Sequence, residues 1–129
     1  GVGAGVKSTI NMVGTKNILC NAVSVAEGPT DGKYGEKTNK DTFLNLRAQF
    51  WWLMRDRFKE KAISIPNDST LISELSQPLY FFNENGKIKI ESKKDMRARG
   101  IKSPNIADAL MLSFYIDTSI VDYNTLTAF

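Results

Sequence analysis

An α/β fold in a single domain is what this sequence predicts, and three observations predict it. Stretches with helical spacing of apolar residues alternate with short β-branched or aromatic runs. Two of those runs, LYFF and KIKIES, flank the turn signal NENG at 83–86. Clusters of Gly, Pro, Asn and Asp stand at nearly every change of period. With 129 residues, 42% of them hydrophobic, the chain is long enough to close one modest core, so a single domain over 1–129 is expected.

Each element has its own reason. The opening GVGAG reads as a tight glycine turn that feeds a helix, with Val6, Ile10 and Val13 at helical spacing and Gly14 as the stop. Residues 17–28, NILCNAVSVAEG, are β-branched with partial alternation and predict a strand that leaves the core at Gly28-Pro29. The stretch 29–41, PTDGKYGEKTNKD, has no hydrophobic period and predicts a loop. From Thr42 to Lys61 the pattern is that of a long amphipathic helix, with Leu46, Phe50, Leu53, Met54 and Phe58 on one side. Its Trp51 and Trp52 are expected in core packing rather than in base stacking. Pro66-Asn67-Asp68 breaks the chain, and Asp68 or Ser69 caps a short helix. Asn85-Gly86 favours positive backbone angles and predicts a hairpin over Tyr80 to Glu91. SKKDMRARG, 92–100, predicts a basic helix ended by Gly100.

The last segment, SPNIADALMLSF at 103–114, carries the candidate functional residue. Ser103 can cap a helix and Pro104 suits the first helical position. Apolar residues at Ile106, Ala107, Ala109, Leu110, Met111, Leu112 and Phe114 leave that helix almost no wet face, yet Asp108 lies in its middle. A carboxylate in such surroundings must be paired, hydrogen-bonded, protonated or bound to a metal.

Composition excludes several chemistries. The chain has no histidine, so no Ser-His-Asp triad, no Cys-His pair and no His-ligated zinc can form within it. The single Cys20 allows no internal disulfide, which fits a reducing compartment, and reads as a small buried residue. No apolar run approaches a membrane span and the start shows no signal core, so a soluble, cytosolic protein is expected. GVGAGVKST misses both a phosphate-binding loop and a dinucleotide fingerprint by one residue, Val6, and the structural turn is favoured over nucleotide binding. Charge is uneven. Seven basic residues stand against Glu91 and Asp95 between Lys87 and Lys102, a local balance of +5 in a chain of net +3. A polyanion held there would lie close to the Asp108 helix.

Taken together, NLRAQFWWLMRDRF, the stretch from Ile65 to Phe114 and the opening GVGAGV resemble the C-terminal nuclease domain of the large terminase subunit of tailed bacteriophages and prophages. The most specific part is the block from Ile90 to Leu110, where the basic helix, Gly100, the capped turn and Asp108 are contiguous. The resemblance implies a ribonuclease-H-like nuclease fold, a mixed sheet flanked by helices, truncated at its N-terminus. It implies metal-dependent endonucleolytic cleavage of concatemeric double-stranded phage DNA, with Mg²⁺ or Mn²⁺ as cofactor. Asp108 matches the family's last metal-binding acid. The earlier acids would precede Gly1, so this chain alone is expected to be inactive. Many relatives carry an acid at the position of Asn105, which is either a second, neutral oxygen ligand or a cap for the helix, the cap being favoured. Lys93, Arg97, Arg99 and Lys102 are candidate DNA-backbone contacts by position and charge. The hairpin resembles the family's auxiliary hairpin beside the active-site groove. Further implied partners are an ATPase motor domain, the small terminase subunit and the portal, in the cytoplasm of a bacterial host. Exposed sheet edges offer a route to self-association. The alternative function is a non-catalytic DNA-binding or packaging-assembly module of the same fold.

Overall fold

The computed structural model describes residues 22–114. The glycine turn, the helix stopped by Gly14 and the first part of the expected strand at 17–28 lie outside the described residues. What is described of that strand is a turn. Its backbone has other work: the carbonyls of Val25 and Glu27 accept from the N–H groups of Arg47 and Leu46 at 3.0 and 2.9 Å. Those are the first donors of a helix, which have no partner inside it.

The expected loop at 29–41 is instead a two-residue hairpin, β1 (Lys33–Tyr34) with β2 (Lys37–Thr38), followed by one helical turn, α1 (Asn39–Thr42). Gly35, at φ 62°, makes the reversal. Polar side chains replace an apolar period here. Buried Asn39 donates to Thr30 Oγ1 and Asp31 O, and buried Gln49 both accepts from the Thr30 N–H and donates to its hydroxyl. A search for hydrophobic spacing cannot see such an anchor.

The long helix, α2 (Leu46–Lys59), begins later than expected. Phe43, fully buried, is extended and bridges in parallel to Ile88, and Asn45 then caps the helix by accepting from Ala48 N–H at 2.9 Å. Leu46, Phe50, Trp51 and Met54 form the core with Leu71, Ala107 and Met111, while Phe58 stands exposed at the helix end. α3 (Ser69–Ser76) is capped by Asp68, whose Oδ1 accepts from Leu71 N–H at 2.8 Å.

The hairpin of β3 (Tyr80–Phe82) and β4 (Ile88–Ile90) pairs Tyr80 with Ile90, Phe81 with Lys89 and Phe82 with Ile88. Its turn is wider than the two-residue Asn-Gly form. Gly86 N–H donates to Asn83 O, Asn83 N–H donates to Lys87 O, and only Gly86 has a positive φ, 72°. That is a three-residue loop ending in a left-handed glycine. α4 (Lys93–Ala98) is capped by Ser92 and closed by Gly100 at φ 77°. α5 (Asn105–Ser113) departs from expectation at its start and in its surface. Pro104, not Ser103, occupies the cap position and gives no side-chain bond, and Ile106 and Leu112 face solvent. Ala107 and Met111, one turn apart, are the face that packs on α2. The described strands form two small antiparallel sheets, with the Phe43 bridge adding a parallel contact.

Candidate active site

Asp108 lies in the first turn of α5, where the unpaired N–H groups and the helix dipole favour negative charge. Two of those N–H groups, of Ile106 and Ala107, donate to Glu74 Oε2 on α3 at 2.7 and 2.9 Å. Glu74 thus does the capping expected of Ser103 and Asn105. Asn105 is exposed at the first position of α5.

The Asp108 side chain is 14% exposed and faces one indole donor and two cations. Trp51 Nε1–H donates to Oδ1 at 3.0 Å. Lys93 Nζ lies 2.7 Å from Oδ2, and an Arg47 terminal nitrogen lies 3.8 Å from Oδ1. Arg47 and Trp51 are four residues apart on α2 and so share one face, while Lys93 opens α4. The two carboxylate oxygens therefore differ. Oδ1 is turned toward α2 and Oδ2 toward a lysine whose side chain is nearly half exposed.

Arg47 reaches past Asp108. Its other terminal nitrogen donates to Glu91 O at 2.6 Å, and its guanidinium lies 5.8 Å from the Trp51 ring. Burial pushes the Arg47 guanidinium below its usual value, and the charges of Asp108 and Glu91 pull it back. Glu91 is itself buried. Arg99 clamps it with two bonds of 2.8 Å, Leu79 N–H adds a third contact, and the Arg99 clamp holds the carboxyl below the ordinary range of a glutamate. Arg99 also donates to Gln77 O, so it braces the hairpin base.

Of the sequence-derived site residues, the structure brings Asp108 and Lys93 together and sets Arg99 on Glu91. Arg97 and Lys102 are exposed on and beyond α4. Reading by spacing missed Arg47, Trp51, Glu74 and Glu91. One signal was available: an arginine and a tryptophan at i and i+4 on the apolar side of a helix, where a cation needs an acid.

Among the described residues no three potential metal-ligating side chains come together. Asp108 is a hard oxygen donor of the class a divalent ion takes, with Oδ1 accepting from Trp51 and Oδ2 ion-paired to Lys93. The hairpin presents a different surface. Tyr80, Phe81 and Phe82 are exposed, with Tyr80 edge-on to Trp52 at 5.0 Å.

No family model and no curated protein matches the chain. Solved structures do. The nuclease domain of the large terminase subunit gp2 of bacterial virus Sf6 matches with a TM-score of 0.78 and 29% identity, covering 92% of this chain and 63% of that one. A mutant of that domain with manganese matches at 0.76, and a mutant with calcium at 0.77, each at 29% identity over 91% of this chain. This chain spans 63% and 62% of those two.

Proposed function

We propose that this chain, whose fold is that of the nuclease domain of a phage large terminase subunit, serves in metal-dependent endonucleolytic cleavage of concatemeric double-stranded DNA during packaging. Asp108 is the observation that carries the reading. A carboxylate set at a helix N-terminus, held on one oxygen by Trp51 and ion-paired on the other with a partly exposed lysine that a metal ion can displace, is suited to hold Mg²⁺ or Mn²⁺ with acids contributed from outside the described residues. Asp108 would hold a divalent ion there, and such an ion would supply an activated water and charge stabilisation for the leaving oxygen of a phosphodiester. The likeness to domains solved with manganese and calcium supports a divalent cation as cofactor.

The chain's own residues do the rest. Trp51 orients the carboxylate by donating to Oδ1. Lys93 balances its charge at Oδ2 and, being partly exposed, can turn to a phosphate oxygen when DNA arrives. Arg97 and Lys102 contact the DNA backbone from their exposed positions, with Arg99 acting indirectly by bracing Glu91 under the hairpin. Asn105, exposed one turn before Asp108, is a neutral oxygen donor at the rim. In the whole protein the partners are double-stranded DNA, an ATPase motor domain, the small terminase subunit and the portal, in the bacterial host's cytoplasm.

Plasmid nicking with Mn²⁺ tests the reading, comparing this chain, a longer chain that spans the full length of the nuclease domains it resembles, and that longer chain carrying Asp108→Ala. Cleavage by the longer chain that falls to background in Asp108→Ala is expected. Equal cutting by the two overturns the assignment. The second reading, a non-catalytic DNA-binding or packaging-assembly module, is favoured by the finding that no three potential metal-ligating side chains come together among the described residues. DNA binding with a steep salt dependence and no cleavage by the longer chain would select it.

A further inference from the structure

Arg47 poses a question the proposed chemistry does not answer. Its side chain is only 11% exposed, one nitrogen bonds a backbone carbonyl, and Nε and the other terminal nitrogen are buried with no hydrogen-bond partner. Buried donors are normally satisfied, and a buried guanidinium with two orphan N–H groups is costly unless its charge has a use. The orphaned terminal nitrogen stops 3.8 Å from Asp108 Oδ1, the oxygen that Trp51 holds from one turn further along the same helix. The bonded nitrogen holds the carbonyl of Glu91, two residues before Lys93. One side chain thus faces the acid and tethers the strand end that delivers the lysine to it.

We infer that Arg47 is a positioning residue for Asp108: with Trp51 it keeps Oδ1 turned toward α2, leaving Oδ2 to Lys93 and to a metal ion that takes its place, and it fixes the Glu91 carbonyl so that Lys93 meets that oxygen. The functional half of this inference rests on Asp108 as a metal ligand. The orientational half does not, and the two can be read separately. The sign of one measurement separates positioning from simple charge. Removing a cation 3.8 Å from a carboxylate should strengthen Mn²⁺ binding if Arg47 only competes for charge. Removing a positioning residue should weaken it.

The test is carried out on the full chain, ¹⁵N-labelled, as parent, Arg47→Met and Arg47→Lys. Two readouts are taken: the indole N–H resonances, and the Mn²⁺-induced broadening of amides around Asp108 as a function of Mn²⁺ concentration. Trp52, whose indole donates to Tyr34 OH, is an internal control on the same helix. The inference expects the Trp51 indole resonance to move in both variants while that of Trp52 stays. It expects Mn²⁺ affinity to fall on the order of 10-fold in Arg47→Met, with partial rescue in Arg47→Lys. An unmoved Trp51 resonance, or tighter Mn²⁺ binding in Arg47→Met, overturns it. Should Arg47→Met fail to fold, Arg47→Lys carries both readouts, an unmoved Trp51 indole or unweakened Mn²⁺ binding again counting against the inference. If the parent shows no Mn²⁺ broadening near Asp108, the indole resonances alone decide whether Arg47 positions the carboxylate, and the metal reading is left to the nicking comparison.

Discussion

Asp108 and Phe82 are both unusual residues for their surroundings, in opposite senses. Asp108 is a charge held nearly out of water by Trp51, Arg47 and Lys93, drawn from two other helices, whereas Phe82 is a large ring left 64% exposed at the tip of a two-stranded hairpin. Behind Asp108, α2 and α5 pack through Trp51, Ala107 and Met111, so moving the acid means moving the core. Behind Phe82 there is little to move. Its strand pairs with β4 alone, and the hairpin is tied down at its base by Leu79, Glu91 and Arg99. Precise placement of a reacting group calls for the first kind of construction, and adaptable contact with a long polyanion tolerates the second.

That contrast can be broken by measurement, most severely in the core. Met96 and Phe43 are both fully buried, so truncation should be costly: about 2–5 kcal/mol for Met96→Ala and about 3–5 kcal/mol for Phe43→Ala. Phe82→Ala should stay within about 0.5 kcal/mol of the parent. Urea unfolding checks all three, and a large loss in Phe82→Ala would show that Phe82 joins the buried Ile88 in the core after all.

The hairpin base makes a pH prediction. The Glu91 carboxyl is held below its ordinary value, chiefly by Arg99. Its contribution to stability is therefore full above the unfolded-state value and is lost as pH falls from there through the lower folded value. Melting temperature followed from pH 7 into this acid range should drop, and Glu91→Gln should be less stable at neutral pH with a flatter acid limb. An unchanged acid limb in Glu91→Gln would sever Glu91 from the effect.

A smaller loss is expected at the site's other support. Glu74→Ala removes the acceptor that serves Ile106 and Ala107 N–H groups and should cost about 0.5–2 kcal/mol, as a lost cap does. Glu74→Gln, which keeps an acceptor, should cost less, and thermal melts compare the two. The smallest effect on folding is expected at the exposed basic segment beyond α4. Lys102→Gln should leave stability unchanged and reduce the slope of log affinity against log salt by about 0.9 if Lys102 meets a phosphate. A titration with the unchanged slope would make Lys102 ordinary solvated surface.

Much of the local architecture was legible because its causes are local. Asp68 three residues before Leu71, Ser92 before Asp95 and Gly100 after Arg99 act within one helical turn, and each end falls where its chemistry puts it. The hairpin was legible too, although the glycine's positive φ alone, without that of Asn85, made the turn one residue longer. The segments 22–28 and 29–41 were not legible. Their order comes from carbonyls that serve the start of α2, and from Asn39 and Gln49 bonding across the fold, none of which leaves a hydrophobic period.

By itself the sequence determined that an acid, Asp108, would stand in an apolar helix beside a basic segment, and that it would need a partner. Only the tertiary structure decided which partners those are. Trp51 lies 57 residues away in the chain, and Glu74, which caps the acid's helix, is more than 30 residues away. Local spacing specifies which face a residue occupies on its own helix. Which charges meet across helices depends on how the cores pack, because burial makes an unpaired carboxylate costly and selects the arrangement that satisfies it.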